Sequence, residues 1–184
     1  MTKTQYERKI IELVRQDQQR VKALSAVYQL DLPDCYIAAG FVRNLVWDYL
    51  HQKACSTPLN DIDVIYYDPT EKNSNMYAVY EEQLKALEPE FNWQVRNQSL
   101  MHRRNNDAPY QSTLDAMSYW VEKETAVAIR KTSENQYECI SSFGFESLFN
   151  LKLTHNPKRT LQTFNERVHS KQWLEIWPKL TVIC

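Results

Sequence analysis

Glycine is almost absent from this chain, which has two in 184 residues, Gly40 and Gly144. A Gly-rich phosphate loop of the Walker or dinucleotide-binding type needs several glycines, because the backbone itself must approach the phosphates, so both types are excluded. A glycine kept under such scarcity marks a place where the main chain needs one. Gly40 follows the short apolar run Tyr36-Ile37-Ala38-Ala39, which reads as a strand. Behind it, Phe41, Val42, Leu45, Val46, Tyr49 and Leu50 recur at the spacing of one apolar helix face. A strand that closes on glycine and opens at once into a helix leaves room for a ligand beside the backbone. The free N–H groups of the helix start favour phosphate there. Arg43 and Asn44 fall in the first turn of that helix, where the arginine offers a charge-assisted fork to phosphate oxygens.

The charge balance limits the partners. With 22 Lys+Arg against 23 Asp+Glu the net charge is −1, so no long-range basic field draws the chain to nucleic acid, although a local basic cleft is compatible. Mean hydropathy is −0.60, and no stretch approaches the roughly 18 apolar residues of a membrane span. Charge appears too early, at Lys3, Glu7 and Arg8, for a secretory signal. These features predict a soluble, cytoplasmic protein with no membrane partner. Cysteines 35, 55, 139 and 184 form no C-x-x-C pair and read as reduced thiols. The histidines at 51, 102, 155 and 169 form no H-E-x-x-H, which removes the zinc-protease reading.

A chain of 184 residues predicts one domain: an N-terminal helix within 1–33, a core over 34–145 and a C-terminal helical part over 146–184. Periodicity predicts a helix over 5–30, the strand and helix around Gly40, and a polar loop over 53–60. A β-rich run follows from Ile62 to Tyr67, then a helix over 74–88 and a strand through Phe91, Trp93 and Val95. Residues 99–111 read as polar and irregular. Ser112 or Thr113 caps a short helix through Trp120. Strands over 125–131 and 137–143 flank a polar turn, and a helix over 158–173 closes the chain. The fold class is α/β (α+β), a mixed sheet flanked by helices.

The strongest chemical signal is Asp61-Ile62-Asp63 at the mouth of a strand. Side chains two apart in a strand share a face, so both carboxylates project into one space. Two hard oxygen donors so placed suit Mg²⁺, which takes one or two carboxylates and fills its shell with water and substrate phosphates. The plain alternative is a pair of solvated acids ahead of a buried strand.

Together, Ala39-Gly40-Phe41-Val42-Arg43-Asn44 and Asn60-Asp61-Ile62-Asp63-Val64 resemble the polymerase-beta-type nucleotidyltransferase superfamily, including the motif pair of the tRNA CCA-adding enzymes. The chain is similar, over roughly residues 35–180, to a small family of bacterial nucleotidyltransferase-like proteins of unassigned substrate. Asn97-Gln98-Ser99-Leu100-Met101-His102 and Trp177-Pro178 belong to that likeness as well. The resemblance implies a polymerase-beta-type nucleotidyltransferase core and Mg-dependent transfer of a nucleoside monophosphate from an NTP to an acceptor, with Mn²⁺ as a substitute metal. Asp61 and Asp63 would hold the metal, and Gly40, Arg43 and Asn44 would seat phosphate. It also implies a third carboxylate from a later strand. Glu138, on the second strand of the hairpin, and Glu124, just before the first, are the two candidates. Asn97, Gln98 and His102, with Arg103 and Arg104, are candidates to line the cleft. The acceptor is open among a small molecule, a protein side chain and an RNA end. Two other readings stand beside this one: a degenerate member that binds nucleotide or metal without turnover, and a partner-binding module such as half of a toxin–antitoxin pair.

Overall fold

The computed structural model describes residues 1–184. Two helices, α1 (Lys3–Gln16) and α2 (Gln18–Tyr28), stand where one was expected. Asp17 breaks them apart: its backbone is extended, and its carboxylate accepts from the Arg20 amide and caps α2. The break lets Arg20 turn inward, where its Nε donates to the Phe41 carbonyl at 2.9 Å and its guanidinium pairs with Asp17.

The chain continues through β1 (Tyr36–Ala38), α3 (Gly40–Leu50), β2 (Ile62–Tyr66), α4 (Met76–Leu87) and β3 (Trp93–Asn97). Next come α5 (Gln98–Asn105), α6 (Thr113–Met117), β4 (Val127–Ser133) and β5 (Gln136–Ser141). The segment expected to be irregular is therefore mostly the helix α5. Its only buried residue is Gln98, so it carries no apolar stripe for periodicity to detect. Asn97 caps it, accepting from the Ser99 amide, and Asn106 ends it in the left-handed conformation. The C-terminal part holds α7 (Glu146–Phe149), β6 (Lys152–Thr154), α8 (Leu161–Ser170), α9 (Trp173–Ile176) and β7 (Thr181–Ile183). It is thus not purely helical. Strands β6 and β7 pair in parallel and are three residues each, too short for alternation to show.

The five strands β1–β5 form a mixed sheet in the order β3-β2-β1-β4-β5. Strands β2 and β3 are parallel, joined by the α4 crossover, and all other neighbours are antiparallel. One face carries Ile37, Ile62, Val64, Val95, Val127 and Ile129 and is covered by α1–α4 in a large buried cluster. The other face has a much smaller cluster around Tyr36, Ala38, Ile65, Ala128 and Met117 of α6. That uneven cover leaves room beside β2 on the second face. No helix is long and apolar enough to cross a membrane.

Candidate active site

Topology places the site. Strand β1 runs antiparallel beside β2, so the end of β1 lies next to the beginning of β2. The turn Ala39–Gly40 and the pair Asp61–Asp63 therefore meet, and all four line one cleft of about 550 Å³. Alternation puts Asp63 on the same face as Ile65, the thinly covered one. The register pairs Asp63 with Gln94 of β3, which also lines the cleft.

The strained residue of the turn is Ala39, not Gly40. Ala39 has φ 57° and ψ −124°, values of the first central position of a type II′ turn, which glycine normally fills. Gly40 begins α3 and needs no positive φ. Its requirement is space: an added Cβ would lie 3.3 Å from Asn44 Nδ2 and 3.6 Å from Arg43 Nη2. Ala39 supplies no side-chain cap, so the first amides of α3 are left for a ligand. Its carbonyl accepts from the Val42 and Arg43 amides, which locks the turn to the helix.

Arg43 is buried against two indole rings that meet edge to face, 5.1 Å from Trp47 and 4.6 Å from Trp173. Its hydrogen bonds go to neutral groups: Nε and Nη2 to Asn44 Oδ1, and Nη1 to Thr125 Oγ1 at 2.6 Å. Burial pushes its pKa down to about 10; Glu122 and Asp63 oppose that fall, and Arg167 deepens it. Even so the guanidinium is charged at neutral pH, with no carboxylate bonded to it. Asp61 is exposed and accepts from Asn92 Nδ2 at 2.5 Å. Asp63 is half-buried, and burial, followed by its neighbour Asp61, raises its carboxyl above the ordinary range. Arg43, Lys171 and Arg96 act on it only through space.

Two adjacent carboxylates without a bonded cation are costly unless something positive sits between them. Nowhere in the protein do three His, Cys, Asp or Glu side chains gather into a metal-binding group. The donor set fits a hard divalent ion that keeps waters and takes further oxygens from a substrate.

Other residues expected at the site stand elsewhere. Glu138 lies on the edge strand β5, three strands over from β2, or about 14 Å at ordinary sheet spacing. It pairs there with Arg130 of β4, Nε to Oε2 at 2.6 Å. It does not reach the aspartate pair. Glu124 is buried on a short 3-10 turn (Lys123–Thr125) and accepts from the Thr154 amide and hydroxyl, both at 2.7 Å, which ties β6 to the main body. The nearest positions across the sheet from Asp63 on its own face are Gln94 and Ala38, with Ala128 beyond, none of them an acid. Asn97 is a clasp: it accepts from the Asp68 amide and donates to the Asp68 carbonyl and Glu71. Gln98 donates to the Arg96 carbonyl, and His102 packs edge-on to Tyr110. None of the three lines the cleft, which α5 reaches only through Asn105.

Asp48 of α3 is buried and accepts from Thr57 and from Trp177 Nε1 at 2.8 Å. It anchors the loop that leads into Asp61 and explains the Trp-Pro near the C-terminus. The further acid that lines the cleft beside Asp61 and Asp63 is Glu122, wholly buried, accepting from Arg167 Nε at 2.5 Å and Thr125 Oγ1 at 3.0 Å. Its sequence signal was faint: an acid two residues before another, directly behind the apolar Trp120-Val121.

The five-stranded mixed sheet flanked by helices agrees with a nucleotidyltransferase fold. The chain matches the nucleotidyltransferase family over residues 25–182, and it belongs to that family. An NMR structure described as revealing a CCA-adding enzyme head domain is similar at 30% identity and a TM-score of 0.83, covering 96% of this chain and 95% of its own. No curated protein matches.

Proposed function

We propose that this nucleotidyltransferase moves a nucleoside monophosphate from an NTP to an acceptor hydroxyl in the cleft between Asp61–Asp63 and the α3 turn. In such a transfer the acceptor hydroxyl releases its proton to solvent as its oxygen bonds to the α-phosphorus, the bond from that phosphorus to the oxygen bridging to the β-phosphorus breaks, and pyrophosphate leaves with the electron pair. The observation that carries the reading is the charge layout: two carboxylates without a bonded cation stand beside a buried arginine without a bonded carboxylate. A Mg²⁺ or Mn²⁺ bound at Asp61 and Asp63 would neutralise phosphate charge at the reacting centre. Arg43 and the α3 amides hold phosphate oxygens, and Asn44 fixes the Arg43 fork. Catalysis here is mostly positioning and charge stabilisation. The acceptor is a small molecule, a protein side chain or an RNA end.

The test is incubation with each α-labelled NTP, Mg²⁺ or Mn²⁺, and a cell extract that supplies acceptors. Label transfer by the wild type, lost in a folded Asp63→Asn variant, is the expected result. A second reading, nucleotide binding without turnover, is favoured by Ala38 and Ala128 standing where a further acid would face the pair. Metal-dependent NTP binding with no label transferred to any acceptor is its signature.

A further inference from the structure

The cleft that holds the aspartates also carries positive side chains, not all of which bond to an acid. Arg43, Arg159, Arg167 and Lys171 all line it. Arg159 is satisfied by Asp107, Nη1 to Oδ1 at 2.8 Å. Arg43, Arg167 and Lys171 share the cleft with three carboxylates, Glu122, Asp61 and Asp63, and of these only Glu122 bonds to one of them. Glu122 binds Arg167 through Nε and Nη2, makes no hydrogen bond to Arg43, and acts on it through space and by way of Thr125. Lys171 is exposed and has no acid within ion-pair distance.

Two features show that this crowding is built. The left-handed Gln172, φ 52°, turns the chain from α8 into α9 and sets the Trp173 ring against both guanidiniums, 4.6 Å from Arg43 and 5.8 Å from Arg167. Lys171 follows Arg167 by four residues, which puts both on one helix face with Cβ atoms about 5–6 Å apart. The Glu122 contact fixes two nitrogens of Arg167 and leaves Nη1 without a partner. Like charges held together in a partly dry cleft favour a polyanion.

We propose that α8 and the residue that ends it form a polyphosphate-binding wall, with Arg167 and Lys171 taking non-bridging oxygens of the β- and γ-phosphates of the nucleotide. This rests on the nucleotidyl-transfer reading and adds to it. Arg43 and the α3 turn hold one side of the triphosphate, and the C-terminal part of the chain holds the other.

The test is calorimetric titration of the full-length protein, in Mg²⁺, with sodium tripolyphosphate, with each NTP, and with the matching nucleosides. Lys171 is exposed, so Lys171→Ala and Lys171→Glu should fold normally. Arg167→Gln serves as a second variant once its fold is checked by circular dichroism. The expected result is a roughly tenfold loss of affinity in Lys171→Ala, the scale of one charged hydrogen bond. The loss should be equal for tripolyphosphate and NTP, absent for the nucleoside, larger in Lys171→Glu and restored in Lys171→Arg. Wild-type affinity for NTP and tripolyphosphate in both Lys171→Ala and Lys171→Glu would overturn the wall and leave the nucleotidyl-transfer reading standing. Failure of the wild type to bind any NTP or tripolyphosphate, with Mg²⁺ or Mn²⁺, would overturn both.

Discussion

Replacing Glu124 separates the buried acid that serves the fold from those that serve the cleft. Its carboxylate accepts two hydrogen bonds from Thr154 at 2.7 Å and is almost wholly buried. Hydrogen bonds to a charged group contribute about 1.5–3 kcal/mol each. The two share one partner residue and do not add fully, so Glu124→Ala should cost about 3–5 kcal/mol. The Thr154 amide is then left without an acceptor. In a chain of this size each kcal/mol lowers the melting temperature by about 2–4 °C, which predicts a fall of roughly 6–20 °C. Glu124→Gln keeps one carbonyl acceptor and should lose about half as much. Thermal and urea denaturation read the stability, and calorimetric NTP titration with and without Mg²⁺ reads the site at a temperature where each variant is folded. Undiminished metal-dependent NTP affinity in folded Glu124→Gln is expected. An Ala variant that unfolds within about 1 kcal/mol of wild type would refute the structural role. A folded Gln variant that no longer responds to Mg²⁺ would return Glu124 to the metal site.

Burial and Asp61 hold the Asp63 carboxyl above the ordinary aspartate value of 3.8, so the folded state binds its proton more tightly than the unfolded chain does. That contribution to stability is present below the ordinary value and is lost as pH rises through the folded one. Metal-free Asp63→Asn should lose less stability than wild type across that window, and Mg²⁺ should raise the melting temperature of wild type alone. A rise of the same size in the variant would remove Asp63 from the metal site. Arg43→Ala should weaken NTP binding by about 1.5–3 kcal/mol and spare the bare nucleoside; equal losses for both would show a structural arginine. In Gly40→Ala the new methyl meets Asn44 Nδ2 at 3.3 Å, so stability should change by no more than about 1 kcal/mol while NTP affinity falls. Full affinity there would mean that phosphates do not sit at this turn. Ala39→Val forces a β-branched residue to φ 57° and should cost about 2–3 kcal/mol in urea denaturation; a neutral effect would show that the turn relaxes.

Elements that bury one regular face were legible in the sequence. The apolar stripe of α3 and the alternation in β3 follow from their contact with the large core. Helix α5 was hidden because its fold rests on the Asn97 cap and a left-handed end, with no apolar face. Strands β6 and β7 were hidden because three residues hold less than two periods of alternation. The interruption at Asp17 was hidden by continuous helical spacing across it. It rests on Asp17, which caps the second helix, and it shows only in tertiary contact, where Arg20 bonds to the Phe41 carbonyl 21 positions away.

The corner of the site could be read because one short segment supplies it, whereas its far wall could not. Gly40, Arg43, Asp61 and Asp63 fall in two blocks that adjacent antiparallel strands bring together, so local pattern and final geometry agree. The clearance that the sequence placed at Gly40 is there, while the positive φ falls one residue earlier, at Ala39, where no sequence pattern marks it. Chain order favoured Glu138 as a further acid, but sheet order puts two strands between it and the pair. Glu122, Arg167 and Lys171 come from a turn before β4 and from the last helices, and nothing in their local patterns distinguishes them from solvated charges. What sets them apart is partnership. Glu122 is buried against one arginine and one threonine, and Lys171 faces the cleft with no acid. The aspartate pair lacks a bonded cation and Lys171 lacks a bonded acid, a divalent cation and a polyphosphate would neutralise both at once, and the chain brings these groups into one cleft from distant parts of its sequence.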